Sequence, residues 1–149
     1  MKKLIGAVLA LGVCGAFGAS TIDPSNASAY GGNIGWCNWL PGSGGAVIGD
    51  YVCSGAVYIG NCGWVSLGNG APADGIRYAN TSATDFGVNH DGMGNLRGLA
   101  YAANLGWISF ETNGAPRVNL LTGVLSGYIY SANCGWLSLS NTIAHVRTL

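Results

Sequence analysis

The sequence predicts an all-β fold built from a repeated unit, on three observations: a motif written four times, a two-residue alternation of side chains around it, and 26 glycines that leave little room for helix. The motif is Asn, any residue, Gly, Trp, an apolar residue, a small polar residue and a large apolar one. Its copies run from Asn33 through Gly35 and Trp36, from Asn61 through Gly63 and Trp64, from Asn104 through Gly106 and Trp107, and from Asn133 through Gly135 and Trp136. Self-similarity of this kind means that one supersecondary unit is paired or stacked with copies of itself.

Taken in order, the chain opens with Met1-Lys2-Lys3 and an apolar run from Leu4 to Phe17, the charged and hydrophobic regions of a secretory signal peptide. Residues 1–19 are expected to be that signal, which is too short to serve as a membrane span. Residues 20–29 have no repeat character and are expected to be a leader, or a donor segment that completes a neighbouring subunit. Residues 30–149 are expected to form a single β-repeat domain.

Within that domain Gly55, Gly98 and Gly127 stand nine residues before a motif Trp, and Tyr30, Tyr58, Tyr101 and Tyr130 stand six before. Leu96, Gly98 and Ala100 alternate with Arg97, Leu99 and Tyr101, and Trp107 and Ser109 with Ile108 and Phe110, which is the period of a strand. Val88-Asn89 and Val118-Asn119 precede turn-rich steps that lead into the next strand. The expected unit is therefore three-stranded and antiparallel: one strand ending in Val-Asn, one running through Gly to Tyr, and one carrying Gly-Trp. Three full units and a partial first one close into a barrel or prism, or stack as a short β-solenoid.

In each copy the Asn lies in the hairpin connection, where it tolerates positive φ and bonds to backbone. The following Gly lets another backbone or ring lie close. Residues required in every unit are expected to pack that unit's core, so Trp64, Trp107 and Trp136 are assigned there, with Trp39 packed in the slot that elsewhere holds Leu or Phe. The tail from Ile143 to Leu149 alternates like a last strand.

The pattern resembles the G-x-A-[WY]-x-x-N-x-G-W-I-x-F repeat of largely uncharacterised exported β-repeat proteins of environmental bacteria, most closely at Gly98, Tyr101, Asn104, Gly106, Trp107, Ile108 and Phe110. Copy one departs from it by carrying Ala27 in the repeat-Gly slot, and the aromatic slot is Tyr throughout. The resemblance implies a secreted β-repeat protein and brings no catalytic mechanism.

Composition narrows the function. Without residues 1–19 the chain keeps four arginines, no lysine and six acidic residues, a net charge of −2. That excludes the clustered cations that nucleic acid demands. Only 8% of the chain is charged, against ~25% in an ordinary soluble protein. Its surface must be hydrated by Asn, Ser, Thr and Gly, or covered by other copies.

Four cysteines, Cys37, Cys53, Cys62 and Cys134, are even in number, which in an exported chain favours two disulfides. Of the three connectivities, Cys37 with Cys53 and Cys62 with Cys134 is the favoured one; the second pair would argue for a closed sheet if formed within one chain, and for a polymer if formed between chains. No ligand spacing suggests a metal or cofactor, and Asn89 to Asn95 reads as an Asp-Gly hairpin rather than a calcium loop, lacking ligands at Met93 and downstream. His90-Asp91 has no nucleophile motif beside it, so no enzyme is expected. What fits is an extracellular structural subunit whose partners are copies of itself, joined at sheet edges into a filament, sheath or surface layer. The alternative is a secreted polysaccharide-binding module with exposed aromatics. Neither involves nucleic acid, nor a membrane after signal removal.

Overall fold

A computed structural model describes residues 19–42 and 44–149, so the expected export signal falls outside the described residues except for Ala19. The described residues form thirteen strands: β1 (Ile22–Gly31), β2 (Gly35–Asn38), β3 (Val47–Ile48), β4 (Cys53–Ile59), β5 (Gly63–Asn69), β6 (Val88–His90), β7 (Leu96–Ala102), β8 (Gly106–Phe110), β9 (Arg117–Val118), β10 (Leu125–Ser126), β11 (Tyr128–Ser131), β12 (Gly135–Ser138) and β13 (Val146–Thr148). One 3-10 turn spans Thr112–Gly114.

Each motif copy makes a hairpin: β1–β2, β4–β5, β7–β8 and β11–β12. The hairpins pair side by side, and β12 returns to β1, closing an eight-stranded antiparallel barrel. Of the barrel, prism and solenoid alternatives, the closed barrel is the one adopted.

Register is the same in all four copies. Inside a hairpin the Tyr faces the Trp: Tyr30↔Trp36, Tyr58↔Trp64, Tyr101↔Trp107 and Tyr130↔Trp136. Between hairpins the residue two beyond Trp faces the next Tyr: Asn38↔Tyr58, Ser66↔Tyr101, Ser109↔Tyr130 and Ser138↔Tyr30. Each crossing therefore advances the register by two residues, and a full circuit by eight. An eight-stranded barrel with that shear tilts its strands by about 36° and leaves just enough interior for side chains to fill.

The filling follows from the alternation. Ala29, Cys37, Val57, Ile59, Val65, Leu67, Ala100, Ile108, Phe110, Ile129, Leu137 and Leu139 are all buried. They leave an apolar void of about 20 Å³. Trp39 joins them at 2% exposure, in the slot of Leu67, Phe110 and Leu139.

Away from the hairpin turns, short strands extend the wall: β3 lies on the start of β4, β6 on the start of β7, and β13 on β1, while β9 pairs with β10 just before β11. Bridges Val52↔Asn89, Asn95↔Arg117 and Val124↔Arg147 tie these additions together. The repeat Gly positions sit where the added strands approach: a Cβ on Gly55, Gly98 or Gly127 would strike the carbonyl oxygen of Gly45, Gly87 or Ala115.

Several expectations are corrected. The stretch 20–29 is no leader or donor segment, because most of it is β1, paired with β2 and β13 of the same chain. The eight strands of the barrel itself are four two-stranded hairpins, with the Val-Asn strand β6 paired on β7 beside them. Closure leaves the eight barrel strands themselves without a free edge.

Candidate functional site

The four hairpin turns gather at one end of the barrel. In each, the residue between Asn and Gly donates its backbone N–H to the last carbonyl of the preceding strand, as Ile34 does to Gly31, Cys62 to Ile59, Leu105 to Ala102 and Cys134 to Ser131. The motif Gly then takes positive φ, between 73° and 90°, which reverses the chain into the second strand. A Cβ there would meet nothing closer than a neighbouring Asn Nδ2 at 3.6 to 3.9 Å. The requirement at this Gly is its φ, and the expected close approach of another backbone occurs at the upstream repeat Gly instead.

The Asn side chains reach beyond their own turns. Asn61 Nδ2 donates to the Ile34 carbonyl at 3.2 Å, Asn104 to Cys62 at 2.7 Å, Asn133 to Leu105 at 2.8 Å and Asn33 to Cys134 at 2.9 Å. Every turn holds the one before it, and the fourth link returns to the first, making a closed hoop of hydrogen bonds. Inside it Ile34, Leu105 and Cys134 are buried and Cys62 is partly so, plugging the barrel mouth.

Just below the hoop, on the outside, stand four aromatic pairs. Tyr30–Trp36, Tyr58–Trp64, Tyr101–Trp107 and Tyr130–Trp136 have ring centroids 4.9 to 5.1 Å apart in tilted or edge-on geometry. The expected core placement of Trp64, Trp107 and Trp136 is wrong: with Trp36 they are 43 to 59% exposed. Their alternation partners Ile108, Val65 and Leu137 point inward, so the Trp must point out. Repetition fixes them in a collar around the barrel.

Three collar tryptophans border surface grooves. Trp36 shares one of about 510 Å³ with Tyr58, Asn38, Ser25 and Ser28. Trp64 borders one of about 620 Å³ with Ser54, Ser66 and Asn69. Trp136 borders one of about 310 Å³ with Tyr128, Asn113 and Gly114. Among the described residues, no charged side chain lines any of the three. At Trp107 the adjacent space holds Phe86, 5.2 Å from Trp107 and 6.3 Å from Tyr101. Phe86 carried no signal in the sequence, because it lies outside the repeat.

All four described cysteines are free thiols. The expected Cys37–Cys53 bond is ruled out by register: Cys37 faces Ile59, and Cys53 begins the same strand six residues away, roughly 20 Å along it. Cys62 and Cys134 sit in turns two places apart around the hoop. Burial pushes the thiols of Cys37 and Cys53 up to about 12, and it also raises that of Cys62. Thiolate chemistry is thus suppressed at the first two. In a timed alkylation of the native protein followed by peptide mass mapping, Cys62 is expected to label first, with Cys37 and Cys53 protected until unfolding.

The His90-Asp91 pair serves the wall. His90 Nδ1 meets the Gly49 carbonyl at 2.9 Å and Nε2 accepts the Gly94 N–H at 3.1 Å, so the ring braces two loops. Asp91 turns both oxygens on its own hairpin, accepting from Met93 N at 2.8 Å, Asn95 N at 3.0 Å and Asn95 Nδ2 at 2.6 Å. No group of three metal-binding side chains occurs among the described residues. The Asn95 side-chain bond, aided by the two backbone N–H groups, brings the Asp91 carboxyl down to about 2. A lowered acid contributes stability above its unfolded value near 3.9 and loses it as pH falls toward 2. The stability gap between wild type and Asp91→Asn, read from urea midpoints, should therefore narrow between pH 4 and pH 2.

No helix among the described residues is long and apolar enough to cross a membrane. Comparison of the chain with protein-family models, with curated proteins and with solved structures finds no match.

Proposed function

We propose that this chain is an exported, non-catalytic binding domain for neutral polysaccharide, with the aromatic collar as its contact surface. The observation that carries the reading is the set of three grooves, each pairing a half-exposed Trp with Ser or Asn and none lined by a charge. A sugar ring has an apolar face of C–H groups and a rim of hydroxyls; the indole takes the first and the neutral amides and hydroxyls take the second. An anionic glycan would instead call for Arg or Lys beside the rings. The collar tryptophans are also placed for contact: they are fixed by strand register and by their Tyr partners, so little side-chain freedom is lost on binding.

The test is affinity electrophoresis through gels containing neutral polysaccharides (glucans, mannans, xylans), with the triple variant Trp36→Ala/Trp64→Ala/Trp136→Ala as comparison. Wild type should be retarded by at least one of them. The variant should run unretarded, because each lost stacking contact costs about tenfold in affinity at ~1.4 kcal/mol. Unretarded wild type in every gel overturns the proposal.

A second reading keeps the structural-subunit expectation but moves it from sheet edges to the collar. It is favoured by the number of large apolar side chains exposed there, four Trp and Tyr30, Tyr58, Tyr101, Tyr128 and Tyr130. Sedimentation that rises with protein concentration, and that the same triple variant abolishes, would support it.

A further inference from the structure

The four barrel facets share one register, so they present four equivalent stacking positions, yet among the described residues only Trp107 has another aromatic ring from outside its own hairpin packed on it. That ring, Phe86, is delivered by the insertion between β5 and β6, which is built onto the wall. The Tyr78 hydroxyl donates to the Cys53 carbonyl at 3.0 Å. Asp85 accepts from the backbone N–H groups of Ala73 and Ala79 at 3.1 and 3.0 Å. Gly87 N–H donates to Asn80 Oδ1 at 2.9 Å. Phe86 lies between these two anchors, so its place beside Trp107 is set by the loop on either side.

We infer that the barrel carries three polysaccharide-stacking sites, at Trp36, Trp64 and Trp136, and that its own Phe86 occupies the fourth, at Trp107. The inference rests on the collar being the glycan surface and adds its valence and the residue that limits it. Three sites spread around one barrel cannot all lie along a single stretch of a stiff chain, so the domain bridges separate polysaccharide chains. Phe86 is the limiting residue because it already supplies the apolar contact that a pyranose ring would make on the fourth facet.

The experiment is calorimetric titration of the full mature chain with cellohexaose, laminarihexaose, mannohexaose and xylohexaose in turn, taking the hexaose that binds. Wild type should bind three equivalents, and Trp36→Ala, Trp64→Ala and Trp136→Ala two each. Trp107→Ala should leave the count at three, and Phe86→Ala should raise it to four. Trp107→Ala decides the matter even where Phe86→Ala fails to fold. Any non-zero wild-type count other than three, or the loss of a site in Trp107→Ala, overturns the valence while leaving the collar as a glycan surface. Folded Phe86→Ala that still binds three equivalents overturns the role of Phe86. If no hexaose binds, this inference falls; if wild type is also unretarded in every polysaccharide gel, the collar reading falls with it.

Discussion

Replacing Gly98 with alanine is expected to cost upwards of about 3 kcal/mol, a large share of the 5–15 kcal/mol that holds a domain of this size. Two effects act together. The φ of 115° is one that a residue with a side chain adopts only under strain. The new Cβ would also strike the Gly87 carbonyl and lie 2.8 Å from Asn80 Nδ2. That carbonyl cannot simply move aside, because it accepts the Leu99 N–H at 3.1 Å. Urea unfolding should show a midpoint more than about 1 M lower, given slopes of ~1–3 kcal/mol/M. Gly92→Ala is the control: φ is 79° there, but nothing lies within 4 Å of the new Cβ, so strain acts alone. Equal losses at the two positions would show that crowding by the added strand is not what reserves position 98 for glycine.

The second large effect belongs to the hoop. Removing all four donors, by Asn33→Ala, Asn61→Ala, Asn104→Ala and Asn133→Ala together, should destabilise the barrel by about 4 kcal/mol or more, at roughly 1 kcal/mol for each bond. Its arrangement makes a sharper claim than its sum. Asn61 and Asn104 share the second turn, since one projects from it and the other bonds to its Cys62 carbonyl. Asn33 and Asn104 share no turn. Double-mutant cycles should therefore give a coupling above 0.5 kcal/mol for the first pair and near zero for the second. Additivity in both would mean that the four bonds act as separate latches.

Much of the barrel was legible before any coordinates. The strand alternation around Leu96 to Tyr101 and Trp107 to Phe110 gave both faces correctly, and the Gly-Trp copies marked one hairpin each. The same alternation already opposed Trp107 to the buried Ile108 and Phe110; assigning Trp107 to the core gave repetition more weight than period. A recurring residue signals a recurring environment, and a symmetric barrel has an outside as repetitive as its inside. The Asn was expected to serve its own turn, because a single sequence shows local offsets and not which turn comes next in space. Phe86 was invisible for a related reason: its importance depends on which facet a non-repeated loop crosses. The Cys37–Cys53 expectation failed on distance along a strand, which becomes measurable only once Cys37 is known to lie opposite Ile59.

Closure sets a schedule for folding. The hoop's last link joins residues 101 apart, Asn33 and Cys134, and the Thr148 hydroxyl reaches the Thr21 carbonyl across 127 positions. Contacts so distant in the chain are slow to find, because the loop between them must be ordered before they return anything. Until β12 and β13 arrive, the inward faces of β1 and β2 lie against water, however well the earlier hairpins have formed. A nascent or truncated chain ending before residue 135 therefore lacks the partner that would seal it, and becomes protease-resistant only when the final hairpin is delivered, in one late step.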